Sequence, residues 1–176
     1  MTRALKALRR LRRDDGTATI EFVILFPLFI ILMISGVEAG MLMTRQMMLE
    51  RGLDLTMRSV RLGTLAEPTH DNVKALICKN AIIIPNCMDV VQLELREVDT
   101  LAWNVPLQGN SCVDRTRPMN PAVLNFDPGA RNTLMMVRAC AVFDPMFPAT
   151  GLGVHLPKDA SGGYRLIATS GFVNEP

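Results

Sequence analysis

The chain predicts an α+β fold: a long amino-terminal helix packed on a small antiparallel sheet, with disulfides as staples. Three observations carry this. An uncharged run from Phe22 to Val37 passes into residues whose apolar positions recur at helical spacing. Farther along the period changes to two, as a strand requires. Cys78, Cys87, Cys112 and Cys140 form an even set, which suits an exported, disulfide-bonded domain.

The helix comes first. Phe22 to Val37 is 16 residues, about 24 Å of helix against a hydrocarbon core of about 30 Å. Extended through Glu38 to Thr44 it reaches 23 residues, about 34 Å, with Glu38 expected near the far interface where it meets water. Pro27 removes one backbone bond and predicts a bend. Leu49, Leu53, Met57 and Val60 then recur at spacings of 4, 4 and 3, while Glu50, Asp54, Arg58 and Arg61 repeat that spacing one position along. Gly63 and Pro68 bracket the helix end. The methionines from Met41 to Met57 read as packing residues.

A second helix is expected from about Asp71 to Ala81, with Val73, Leu76 and Ile77 on one side. Val91, Leu93 and Leu95 alternate with Gln92, Glu94 and Arg96, predicting a half-buried strand. Thr133–Phe143 and Tyr164–Val173 have strand composition, the first apolar on both faces apart from Arg138. Asn104–Asn132 is rich in proline and predicts a long loop with a helical turn near Ala122–Asn125. Asp144–Gly163 is unusually apolar for a connection; it is expected to fold over the sheet, with a partner-contact patch as the alternative.

Four cysteines allow three pairings. The favoured one joins near neighbours, Cys78 with Cys87 and Cys112 with Cys140, with chain-entropy contributions of about 2.7 and 3.6 kcal/mol. No cysteine pair has the short spacing of a zinc knuckle, and His70 and His155 lie far apart, so neither metal nor cofactor is expected.

Charge gives orientation and excludes a class. Arg3, Lys6, Arg9, Arg10, Arg12 and Arg13 precede the apolar run, whereas the 15 residues after Thr44 carry Arg45, Arg51 and Arg58. The excess before the span predicts a cytoplasmic amino terminus and an exported remainder. Of 19 basic and 17 acidic residues, the first 16 positions hold six and two, leaving 13 and 15. No basic footprint for nucleic acid remains.

Glu21 stands at the head of the apolar run, five positions after Gly16. A carboxylate within a spanning helix costs about 2.5–3.5 kcal/mol at the helix centre and needs a partner. The run Arg9–Arg13, Asp14-Asp15-Gly16, Thr17-Ala18-Thr19-Ile20-Glu21-Phe22 resembles the leader and processing site of a type IV prepilin. The resemblance implies cleavage between Gly16 and Thr17 by a prepilin peptidase. The new α-amine would lie about 6 Å along the helix from Glu21 and could meet the Glu21 of an adjoining subunit. A secretory signal cut near Val37-Glu38-Ala39 and a plain single-span anchor are the alternatives.

With Pro27, the Val137-Arg138 strand ending near Asp144-Pro145, and the closing Phe172-Val173-Asn174-Glu175-Pro176, the chain resembles the TadE-like pseudopilins of the tight-adherence (Tad, or Flp) pilus system. Phe22 supplies the aromatic that such proteins usually carry after the glutamate. The resemblance implies a pilin-like layout: a leader over 1–16, a transmembrane helix over 17–44 and a periplasmic domain over 45–176. It further implies an inner-membrane subunit that makes or breaks no bond. Implied partners are the prepilin peptidase, other Tad pseudopilins, the major Flp pilin and the inner-membrane pilus platform, with Glu21 and Phe22 setting subunit register. The competing class is a tethered periplasmic binding or enzymatic domain. Against it, the sequence has no nucleophile elbow, phosphate-cradling glycine loop or helical His-Glu metal pair.

Overall fold

The computed structural model describes residues 17–101, 112–116 and 126–175. Gly16 with the whole leader, the turn expected near Ala122–Asn125, and Pro176 lie outside the described residues. Helix α1 spans Thr17–Arg61 as one 45-residue element and runs through Pro27. It ends where the sequence calls for an end. Gly63 takes φ +64°, its N–H bonds Val60 O, and the Thr64 N–H bonds Ser59 O. Those two bonds form a Schellman cap, which a glycine at the left-handed position makes inexpensive.

Helix α2 spans His70–Asn80, one residue earlier at each end than expected, because Thr69 supplies the cap by accepting a bond from the Asn72 N–H. Val73 and Ile77 are fully buried and Leu76 half so. A four-residue helix α3, Cys87–Val90, then leads into strand β1, Val91–Glu97. Strand β2, Leu134–Phe143, the short helix α4, Leu152–His155, and strand β3, Tyr164–Val173, complete the described elements. The sheet order is β1-β2-β3, antiparallel throughout, with Leu93 opposite Ala139 and Ala139 opposite Ala168. The α+β class and the helix-on-sheet architecture are therefore present.

One continuous core joins helix to sheet. Leu49, Leu53 and Met57 from α1 and Val73 and Ile77 from α2 meet Val91, Leu93 and Leu95 of β1 and the inward residues of β2 and β3. The two helices touch at Gly52, where a Cβ would sit 3.0 Å from both the Cβ of Ala81 and the carbonyl of Ile77. Glycine is what lets the backbones approach so closely. The disulfides join Cys78 to Cys87 and Cys112 to Cys140, with Cα separations of 5.6 and 5.2 Å.

Strand β1 departs from the half-buried expectation. Gln92 and Glu94, expected to face water, are buried along with Val91, Leu93 and Leu95. Two contacts lie beside these residues. The Cys112–Cys140 bridge fastens residues 112–116 to the second face of the sheet, where Cys140 pairs with Gln92. On the free edge of β1, the Asp127 N–H bonds Leu95 O at 3.0 Å. Glu94 forms an ion pair with Arg96 on the same strand.

Candidate membrane and assembly surface

The first part of α1 touches little else in the protein. Ile20, Phe22, Val23, Ile24, Leu25, Phe26, Leu28 and Phe29 are all exposed. These residues circle the helix, so no rotation could hide them against the sheet. A helix apolar on every side belongs in a core or a bilayer. It is long and apolar enough to cross a membrane. Glu21, with an exposed side chain, is the one charged residue of this stretch up to Val37. It lies four residues after Thr17, about 6 Å along the axis. Phe22 stacks on Phe26 with ring centres 4.9 Å apart.

From Ser35 the helix acquires partners. Ser35 Oγ donates to Ile31 O at 2.8 Å and accepts from the Leu152 N–H at 3.2 Å. One turn on, Glu38 is only 1% exposed. Its two carboxylate oxygens accept the N–H groups of Met146 and Phe147, at 3.2 and 3.0 Å. The expectation that Glu38 reaches water is thus corrected: the backbone donors of Met146 and Phe147 replace it, and charge-assisted bonds of this kind are stronger than neutral ones. The same bonds correct the path expected for Asp144–Gly163, whose Met146–Leu152 portion lies against α1 where it was expected over the sheet. Gly151, at φ +53°, permits the approach, because a Cβ there would collide with Ser35 Oγ.

Arg45 fixes the next turn. Its guanidinium donates to the Tyr164 hydroxyl at 2.7 Å and to Asp144 O at 3.3 Å, and lies 4.9 Å from the centre of the Phe143 ring. Gln46 donates to Ile167 O at 3.0 Å, capping a carbonyl of β3. Near them Arg115 makes a bidentate pair with Asp144, at 2.9 and 2.7 Å, and reaches Ser161 Oγ at 3.0 Å. The hydrogen bond from Arg115 holds the Asp144 carboxyl below the usual range, against a weaker effect of burial. For Asp159, burial pushes the carboxyl up, but bonds from the Ser161 hydroxyl and from the Gly163 and Ser161 N–H groups together hold it down. These groups close the turn Asp159–Gly163 and pin residues 112–116 to it. They form a structural clamp.

The carboxyl-terminal residues also have a structural use. Asn174 Nδ2 donates to Pro128 O at 2.7 Å and Ala130 O at 3.2 Å, while Arg61 pairs with Glu175 at 3.4 Å. Thr17, Glu21 and Phe22 therefore share one end of the molecule, and the closing segment sits beside the other end of α1. Sequence reasoning missed Ser35, Glu38 and Gly151 as a set. The available signal was Glu38 itself, a carboxylate in an apolar run with no basic residue nearer than Arg45.

A family model described as TadE-like protein matches residues 16–55, the stretch that holds Glu21 and most of α1. No curated protein matches the chain. Nor does any solved structure. The matched stretch covers the exposed part of α1 and the first turns of its packed continuation.

Proposed function

We propose that the chain is a pseudopilin, or minor pilin, of a Tad/Flp adhesive pilus system, cut between Gly16 and Thr17 by a prepilin peptidase and required for assembly or export of the pilus. One observation carries this reading: an apolar helix exposed on every side, headed by an exposed Glu21, within the segment that is TadE-like. Such a helix has two uses for its surface. It crosses the inner membrane with its amino terminus in the cytoplasm, and it joins other pilin-like helices laterally. Glu21 then meets the α-amine that cleavage creates on an adjoining subunit, an ionic pair that sets register. The folded part, from about Arg45 onward, faces the periplasm and contacts other pseudopilins, the major pilin and the platform. The protein makes and breaks no bond itself.

The test has two parts. Mass spectrometry of the mature protein is expected to find Thr17 as its first residue, and Gly16→Leu to leave the leader attached; a mature terminus elsewhere defeats the proposal. Glu21→Ala is expected to spare membrane insertion and folding while sharply reducing co-purification with pilus components. Unchanged assembly would remove Glu21 from its role.

A further inference from the structure

We propose that residues Pro145–Leu156 form a collar that sits in the interfacial zone of the bilayer, against lipid headgroups and the upper acyl chains. The proposal rests on the reading of α1 as a membrane span. Its first support is a length. The part of α1 before its first hydrogen bond with the collar, Thr17–Ile34, is 18 residues, about 27 Å, against a hydrocarbon core of about 30 Å. The far boundary of the hydrocarbon therefore falls at Ser35–Glu38. That is the level at which Leu152 bonds Ser35 and Met146 and Phe147 bond Glu38.

The second support is what the collar shows to its surroundings. Met146 and Val154 are 47% and 49% exposed, Phe147 and Leu152 half-buried. Met146, Phe147 and Leu152 are held at the level of Ser35–Glu38, where the exposed apolar part of α1 ends. Lys158 adds a cation beside them, its amine donating to Pro148 O at 3.1 Å. Apolar residues edged by a cation suit a lipid interface, with the cation at the level of the headgroup phosphates. The backbone of the collar is also supported for such a site. Glu38 and Ser35 satisfy three of its N–H groups, which spares them exposure to a medium poor in water.

The occupant is thus the lipid surface, and a second protein is the outcome to be tested against it. The full chain, with Trp103→Phe to remove its one tryptophan, is reconstituted into phosphatidylethanolamine–phosphatidylglycerol vesicles with brominated acyl chains. Single tryptophans are introduced as Phe29→Trp in the span, Val154→Trp and Met146→Trp in the collar, and Ile82→Trp on a distant exposed site. All these positions are exposed in the folded protein, so each substitution is compatible with folding. The expected result is quenching and a blue shift for Phe29→Trp and for both collar variants, with Ile82→Trp unaffected. Quenching of Phe29→Trp without either collar variant overturns the collar and leaves the span standing, which is the pattern of a surface kept for a protein partner. An unquenched Phe29→Trp overturns the span and the collar together. Quenching of Ile82→Trp overturns the collar too, since the protein would then lie flat on the lipid.

Discussion

Helix α1 is one element in two environments. From Ile20 to Phe29 its apolar side chains are exposed on every side; after Arg45 its buried apolar residues sit on one stripe, with Leu49, Leu53 and Met57 covered and Glu50, Asp54 and Arg58 turned outward. The difference lies in arrangement, since both halves are rich in apolar residues. A stripe can be covered by the chain's own sheet, whereas a fully apolar cylinder needs lipid or other helices around it. The front half is therefore specified for its surroundings, and the rear half for its own protein.

The strongest way to break this comparison is to charge the front half. Leu25→Arg with Phe29→Arg is expected to cost about 6 kcal/mol of insertion, at about 3 kcal/mol per arginine near a helix centre. Alkaline carbonate extraction should then release the protein from membranes. If it stays in the pellet, the front half does not face lipid. The packed half should respond in the opposite way. Leu53→Ala, at a position 1% exposed, is expected to lower the unfolding free energy by about 3 kcal/mol and leave extraction unchanged. Denaturant titration in detergent reads the first effect, and a midpoint equal to that of the parent would remove Leu53 from the core.

Where the halves meet, Glu38→Ala strips the partners from the Met146 and Phe147 N–H groups. The expected loss is about 2 kcal/mol, in line with bonds to charged groups. Amide exchange at those two residues should accelerate, and undiminished protection would mean that other contacts hold the segment. The smallest effect concerns the clamp beyond. Asp144 is depressed in the folded protein by Arg115, so its contribution is complete above the ordinary carboxyl pKa of about 3.9 and is lost as pH falls through the depressed value. Asp144 is well exposed, so solvent screens the pair. Asp144→Asn should flatten the acid limb of the stability curve below about pH 4 and shift neutral stability little. An acid limb as steep as the parent's would assign that pH dependence to other carboxyls.

Much of this was legible. The 4, 4 and 3 spacing of Leu49, Leu53, Met57 and Val60 located the buried stripe, because a helix of fixed pitch converts spacing into direction. Gly63 located the helix end, since only glycine takes its backbone conformation without strain. The three strands fell within one or two residues of their observed bounds. Other features were not legible. Alternation along β1 gave Gln92 and Glu94 a solvent face, but alternation describes one strand and says nothing about Cys112 being tied to Cys140 opposite Gln92. Glu38 could be noticed in the sequence but not explained, because its partners are backbone N–H groups more than 100 positions away.

The sequence by itself therefore determined the long helix, its apolar front, the position of Glu21 in it, and the three strands. Each depends on neighbours within a few residues, where helix pitch and strand pleat decide what points where. Only the tertiary structure decided that Glu38 is enclosed, that both faces of β1 are covered, and that Pro145–Leu156 turns onto the helix. Those outcomes depend on backbone groups, which every residue carries alike, and on close approach at Gly52 and Gly151. Backbone donors leave no mark in a sequence, so their partners become visible only once the chain has brought them together.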